Sequence, residues 1–137
     1  MRREAWDFSW TVNTFVRDTA GITDAIVVSA DGLPIVVSDT RGPAEADRLA
    51  AIVSGLAGLA DALATAEELG PLGKIVMDLA HGYLIVVAIG QRALLGVRAR
   101  KGADLATIAY EMTVFANRAG SRLTSSLVDE LQNARSR

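Results

Sequence analysis

The sequence predicts an α+β fold, a three-layer α/β/α sandwich with one five-stranded antiparallel sheet. Two β-rich runs are joined by Asp31-Gly32, and three further runs follow one another with only short turns between them. Strands linked this closely pair antiparallel, because a parallel pair needs a long crossover. The strands are apolar on both sides, so we expect the helical segments around them to cover both faces of the sheet.

The predicted order is α-β-β-α-β-β-β-α, followed by a short C-terminal helix. The first helix spans about Ser9 to Thr19 and ends before Gly21, which suits a left-handed helix end. Trp10 lies off its apolar stripe and is predicted to pack against a neighbouring helix, whereas Trp6 is expected to be exposed or in a partner contact. Pro34 marks the second strand as an edge strand. The predicted strands cover residues 22–30, 33–39, 74–79, 83–89 and 94–99.

The longest predicted helix runs from Pro43 to Leu69 and carries two apolar faces. We expect the face of large side chains to cover the sheet. The face of small side chains lies roughly 110° round the helix. Because a glycine inside a helix costs about 1 kcal/mol relative to alanine, this small stripe predicts a closely approaching surface. The large stripe comprises Leu49, Ile52, Val53, Leu56, Leu59 and Leu63, and the small stripe comprises Ala51, Gly55, Gly58 and Ala62.

The last long helix is predicted to begin at an Asp104 N-cap and to end at Gly120. A further short helix, capped by Thr124 or Ser125, brings the predicted domain to residue 131. Residues 8–131 are therefore expected to form one domain between tails at 1–7 and 132–137. The core stripe of the last long helix comprises Leu105, Ile108, Ala109, Met112, Phe115, Ala116 and Ala119.

Composition excludes several classes of protein. The 137 residues include no cysteine and carry a net charge of −2, which argues against disulfides, zinc–thiolate sites and nucleic-acid binding. The N-terminus has no signal-peptide core, and no uninterrupted apolar run reaches the length of a membrane span. A cytoplasmic protein without membrane insertion is expected.

The sequence predicts no catalytic residue, metal site or cofactor. His81 is the single histidine, and it falls in a predicted turn without a carboxylate set around it. No phosphate-binding loop of the GTPase type is present. Solvated surface charge is the favoured interpretation of Arg41, Arg48 and Arg92, and the alternative for each is an arginine finger, a cation that stabilises a transferring phosphoryl group. The same holds for the basic cluster at residues 98–101, although a basic helix start could hold a phosphate.

Several phrases carry a resemblance to a known family: AIVVSADGLPIVVS, ADRLAAIVSGLAGLA, MDLAHGYLIV, LLGVRA and AYEM, together with Trp10 and Phe15-Val16. Over about residues 8–131 the chain resembles the roadblock / dynein-light-chain family. More narrowly, it resembles actinobacterial members encoded beside a sensor kinase and a Ras-like GTPase. The resemblance implies a homodimer formed by the strand after the long helix and by the long helices themselves. It also implies regulation or scaffolding of a small GTPase, without catalytic residues and without a donated arginine finger.

That implied homodimer supplies a partner for the small stripe, namely Ala51, Gly55, Gly58 and Ala62 of a second copy. The strand Lys74–Leu79 adds a separate hint. Antiparallel self-pairing about Val76 would place Lys74 opposite Asp78 of the other chain, twice. Facing opposite charges contribute roughly 0.2–1 kcal/mol per pair. Such self-complementarity is typical of two-fold interfaces.

The sequence and the resemblance together predict a regulator that binds a Ras-like small GTPase and biases its conformation. The alternative is a pure scaffold that joins a sensor histidine kinase to the GTPase without altering nucleotide turnover. A third interpretation, a small-molecule sensor, would need an apolar pocket with converging polar groups, and the sequence names none.

Overall fold

The computed structural model describes residues 3–38, 42–91 and 93–135 and has the predicted α/β/α architecture. The elements are α1 (Arg3–Asp18), β1 (Ile22–Ser29), β2 (Pro34–Val37), α2 (Pro43–Ala66), β3 (Lys74–Leu79), β4 (Gly82–Ile89), β5 (Ala93–Ala99), α3 (Leu105–Ala119), a 3-10 turn (Gly120–Arg122) and α4 (Ser125–Arg135). The five strands form one antiparallel sheet in the order β2-β1-β5-β4-β3. Strands β2 and β3 are therefore its edges, as Pro34 indicated for β2.

Both terminal helices are longer than predicted. Helix α1 begins at Arg3 rather than near Ser9, and Ala5, placed in the predicted tail, is fully buried. Helix α4 continues to Arg135, past the predicted domain end at residue 131. The prediction for Trp10 is wrong, because its side chain is 64% exposed. Most residues around Ala5 are polar, so apolar periodicity did not predict that this segment belongs to α1.

The predicted starts of α3 and α4 and the turn after α1 are confirmed, whereas α2 ends at Ala66 rather than at the predicted Leu69. The Asp104 side chain accepts a hydrogen bond from the Thr107 N–H at 3.1 Å, which caps α3. The Thr124 hydroxyl caps α4 by accepting from the Leu127 N–H at 3.1 Å. Gly21 has φ +92°, and a side chain there would collide with Ala103. These local signals place the turn after α1 and the starts of both C-terminal helices.

One face of the sheet is closed by three helices. Helices α1, α3 and α4 bury the larger of the two apolar clusters against the strands. Phe8 and Met112 are fully enclosed there, and the rings of Phe15 and Phe115 are 4.7 Å apart. Burial on this scale, at about 25 cal/mol per Å² of apolar surface, supplies most of the driving force for folding.

Helix α2 alone covers the opposite face, and it does so with an unexpected set of residues. The expectation that the large stripe covers the sheet is wrong for Ile52, Leu59 and Leu63, which are 47%, 72% and 57% exposed. Only Val53 of that stripe is fully buried, while Leu49 and Leu56 are half-buried. The residues of α2 that are buried are mostly small: Ala46, Ala50, Val53 and Ala57.

Short side chains let α2 lie close to the sheet. Gly96 in β5 accepts the Val53 side chain, since a Cβ at this glycine would lie only 2.9 Å from a Val53 methyl. The helix therefore has three faces, separated by roughly 90° to 140°: buried alanines, exposed leucines and the exposed small stripe. Periodicity identified the last two, but not the sheet-facing one.

Candidate functional site

The exposed large residues of α2 form an apolar face that nothing in the described chain covers. We call Ile52, Leu59 and Leu63 the leucine face. By length and composition alone α2 could cross a membrane, a test that core helices of soluble proteins also meet, and only 17% of its most apolar window is buried. Contiguous exposed apolar surface on a soluble protein is typical of an interaction site.

Strand β3 lies beside the leucine face and leaves one edge open. Among the described residues it pairs only with β4. Ile75 and Met77 point toward the α2 side and are half-buried against its cluster. Val76, on the opposite side, is 42% exposed. An open edge of this kind is a template for pairing with another chain.

Asp78 on this edge already has a partner in its own chain. The Lys101 Nζ donates to an Asp78 carboxylate oxygen at 2.5 Å and lies 4.5 Å from the centre of the Tyr83 ring. This hydrogen bond raises the pKa of Lys101, because it stabilises the charged ammonium. A Lys74 from a second copy would therefore compete with Lys101 for Asp78, a constraint that the sequence did not reveal.

The small stripe is open along its length. Ala51, Gly55, Gly58 and Ala62 are all exposed, and a Cβ added at either glycine would have no neighbour within 4 Å. Exposure in a single chain does not distinguish a surface that binds a partner from a surface that faces solvent. The assignment of this stripe to a dimer contact therefore stays a prediction.

A groove of about 740 Å³ opens between the start of α2 and the β3–β4 turn. Leu49, Ile52, Met77 and Leu79 contribute to its apolar walls, and His81 lies at its rim. The pairing of β1 with β5 brings Asp24 and Arg98 opposite each other at one end. This volume lies in the range of small-molecule sites.

The guanidinium at that end is held by a bidentate ion pair. Arg98 donates from Nε and Nη2 to the two Asp24 carboxylate oxygens at 2.9 and 2.8 Å. The Asp24 side chain is 3% exposed, whereas the Arg98 side chain is 47% exposed. The Arg98 guanidinium is therefore held in one orientation at the groove, and the Asp24 carboxylate that holds it is buried. The sequence identified Arg98 only as part of a basic cluster and did not single out Asp24, because the pairing follows from strand register.

Other polar residues have structural roles. The Ser29 hydroxyl donates to Asp31 and accepts from the Leu33 N–H within the first hairpin, and the Ser38 hydroxyl accepts from the Ala25 N–H. Arg48 is exposed on α2, whereas Arg41 and Arg92 lie outside the described residues. Within residues 3–38, 42–91 and 93–135, no group of three potential ligands could hold a metal ion.

Comparison with known proteins was made by family and by structure. A family model described as Roadblock/LC7 domain matches residues 8–99. A Roadblock/LC7 domain from Streptomyces avermitilis is 29% identical, with 84% of this chain and 96% of that chain covered at a TM-score of 0.78. A second structure of that description is 31% identical, covering 80% and 95% at a TM-score of 0.66. Myxococcus xanthus MglB, 15% identical over 93% and 94%, shares the fold at a TM-score of 0.81. No curated protein matches the sequence.

Proposed function

Because the chain belongs to the Roadblock/LC7 domain family, we propose that it is a non-enzymatic, homodimeric regulator of a Ras-like small GTPase in the cytoplasm. It would bind the GTPase and bias its conformation rather than supply catalytic groups. The observation that carries this proposal is an apolar helix face beside an open strand edge on the same side of one small domain.

Self-association is the first step of the proposal. Pairing β3 with β3 of a second copy about Val76 would remove both open edges and extend the sheet across a two-fold axis. The α2 helices lie on the same face of the two sheets, so they would meet above that junction. Ile52 of the leucine face lines the same groove as Met77 of β3, so at least that end of the face would lie near the junction.

This geometry favours the leucine face over the small stripe as the principal helix contact. Burying a leucine side chain contributes about 1.5–3 kcal/mol, and a two-fold interface counts each residue twice. The small stripe lies roughly 90° round α2 from the leucine face. Both assignments stay proposals, and paired variants separate them.

Binding of a GTPase is the second step, and family membership supports it. A partner shifts a conformational equilibrium only by its differential affinity for the two states. We therefore expect unequal affinity for the GTP-bound and GDP-bound forms, by about fivefold or more, together with a changed rate of hydrolysis. Fluorescent-nucleotide binding and phosphate-release assays on a Ras-like GTPase, with and without this protein, measure both quantities.

Arg48 is the control for the mechanism. It is the described arginine among the finger candidates and is exposed on α2. Under a conformational mechanism Arg48→Ala leaves stimulation of hydrolysis within about twofold of the wild-type value. A drop of about a thousandfold would instead assign an arginine finger. Equal affinity of this protein for both nucleotide states of the GTPase, with no change in hydrolysis, would favour the alternative function, a scaffold that joins the GTPase to a kinase.

A further inference from the structure

Lys101 reaches the open edge of the sheet although it does not belong to the edge strand. It follows β5, yet its ammonium lies 2.5 Å from an Asp78 carboxylate oxygen on β3 and 4.5 Å from the centre of the Tyr83 ring on the intervening β4. Asp78 is directly opposite Tyr83 in the strand register, and Tyr83 packs against the cluster on the face away from α2. The Asp78–Lys101 pair therefore lies on that face, at the edge where a second copy would add its strand.

The pair is placed so that another cation can reach it. The Lys101 side chain is 39% exposed and the Asp78 side chain is 66% exposed, so a second ammonium can approach Asp78 without any movement of the backbone. Exposed ion pairs contribute little to the stability of a fold, because water screens them. Asp78 can therefore exchange its partner within the chain for one in another chain.

We propose that Lys101 is an intrachain competitor that weakens self-association through β3. The inference rests on the proposed pairing of β3 about Val76, in which Lys74 of a second copy faces Asp78. Lys101 and that Lys74 would bring two ammonium groups to one carboxylate, where like charges repel each other. Formation of the interface must then loosen the Lys101 contact or accept the repulsion. Two-fold symmetry repeats this conflict at both Asp78 residues.

Lys101→Gln tests the sign of the effect. Without the Lys101 ammonium, Asp78 is free for Lys74 of the second copy, so the dissociation constant should fall by about twofold to thirtyfold. That range corresponds to one facing charge pair strengthened on each side of a two-fold axis, at roughly 0.2–1 kcal/mol per pair. Sedimentation equilibrium measures the constant. A tighter dimer after loss of an ion pair is a result that a merely structural role of Lys101 does not produce.

Arg100→Gln is the matched control. It removes the same charge one residue earlier, so both variants change the net charge of −2 equally. Arg100 lines the groove on the α2 side of the sheet, away from the Asp78–Lys101 pair. Its replacement should leave the dissociation constant unchanged. Equal tightening by both variants would assign the effect to net charge and overturn the proposal.

Asp78→Asn shows whether Lys101 acts through this carboxylate. In that background Lys101→Gln should no longer change the dissociation constant, since the two residues then form a double-mutant cycle with no remaining interaction. An effect of Lys101→Gln that persists without the Asp78 charge would contradict the competition.

The lysines also give a readout within the monomer. Lys74 and Lys101 are the only lysines in the sequence, so lysine side-chain labelling yields one NMR resonance for each. In a dilute monomeric sample, Asp78→Asn should lower the pKa of Lys101, because it removes the hydrogen bond that raises this pKa. A pKa of Lys101 that does not respond would show that the pair is not formed in solution, and the proposal would fail.

The remaining outcomes are equally decisive. A weaker dimer after Lys101→Gln would show that Lys101 supports the interface, and an unchanged dissociation constant would show that Asp78 accommodates both cations; either result overturns the proposal. A wild-type protein that stays monomeric at every concentration would refute the proposed self-association and this inference with it. The lysine titration distinguishes that case, since it detects the Asp78–Lys101 pair without a second copy.

Discussion

The two faces of the sheet differ in how completely the chain covers them. Helices α1, α3 and α4 close one face, where Phe8, Ile108 and Met112 are fully buried. Helix α2 alone covers the other, through alanines and Val53, and leaves Leu59 and Leu63 in solvent. The first face of the sheet is therefore fully covered and forms a closed hydrophobic core. The second has an apolar surface that no described residue of this chain covers, which is typical of an interaction site.

The largest expected effect lies on the open face. Leu59→Ser/Leu63→Ser should weaken self-association by more than about a thousandfold, because each leucine contributes about 1.5–3 kcal/mol on burial and occurs twice at a two-fold interface. The monomer should still fold, since the two side chains are 72% and 57% exposed. Sedimentation and circular dichroism measure the two properties.

The matched control for this change is Gly55→Leu/Gly58→Leu on the small stripe. Neither position has a neighbour within 4 Å in the single chain, so the substitutions are tolerated there. If the leucine face is the contact, this variant stays associated. Dissociation by the glycine variant, with the leucine variant intact, would return the small stripe to the interface and contradict our assignment.

The closed face should respond in stability rather than in assembly. Phe8→Ala should lower the free energy of unfolding by about 3–5 kcal/mol, since Phe8 is completely enclosed between α1 and the sheet. Urea denaturation at a concentration where the chain is monomeric measures it. A loss below about 1 kcal/mol would mean that this face relaxes around the cavity, and the contrast between the faces would weaken.

The ion pair at the groove gives a smaller effect. Arg98→Met should cost about 2–3 kcal/mol of stability, less than a fully buried pair would, because the Arg98 side chain is 47% exposed and the buried Asp24 loses two charge-assisted hydrogen bonds. Adding Asp24→Leu should recover most of the loss. Thermal unfolding of the single and double variants measures both effects. Equal stability of wild type and Arg98→Met would show that the ion pair does not stabilise the fold.

The charges on the β3 edge test the strand register. Lys74→Asp should weaken self-association by up to about thirtyfold, and adding Asp78→Lys should restore it, because facing opposite charges contribute roughly 0.2–1 kcal/mol per pair and the pair occurs twice. Lys101 competes for Asp78 at 2.5 Å, so Lys101→Gln is the informative background. Indifference of the sedimentation profile to both charge changes in that background would rule out pairing about Val76.

The smallest effect is expected at the start of α3. Hydrogen bonds from the Thr107 side chain and N–H hold the pKa of Asp104 below its usual value. A carboxyl group with a depressed pKa in the folded state stabilises the protein above its unfolded pKa. That contribution is lost as pH falls through the folded value. Asp104→Asn should therefore flatten the acid side of the stability curve, measured by urea midpoints from pH 2 to 6, and an unchanged slope would contradict the cap.

The sequence by itself determined the order of the elements, the Asp31-Gly32 hairpin, the caps at Asp104 and Thr124 and the edge position of Pro34. Each of these depends on residues a few positions apart, where turn chemistry and side-chain period act directly. The tertiary structure alone decided which face of α2 meets the sheet. Hydrophobicity predicted the larger side chains, but close packing against Gly96 selected the alanines and Val53. It also decided the Asp24–Arg98 and Asp78–Lys101 pairs, because strand register and chain folding join residues that are 74 and 23 positions apart.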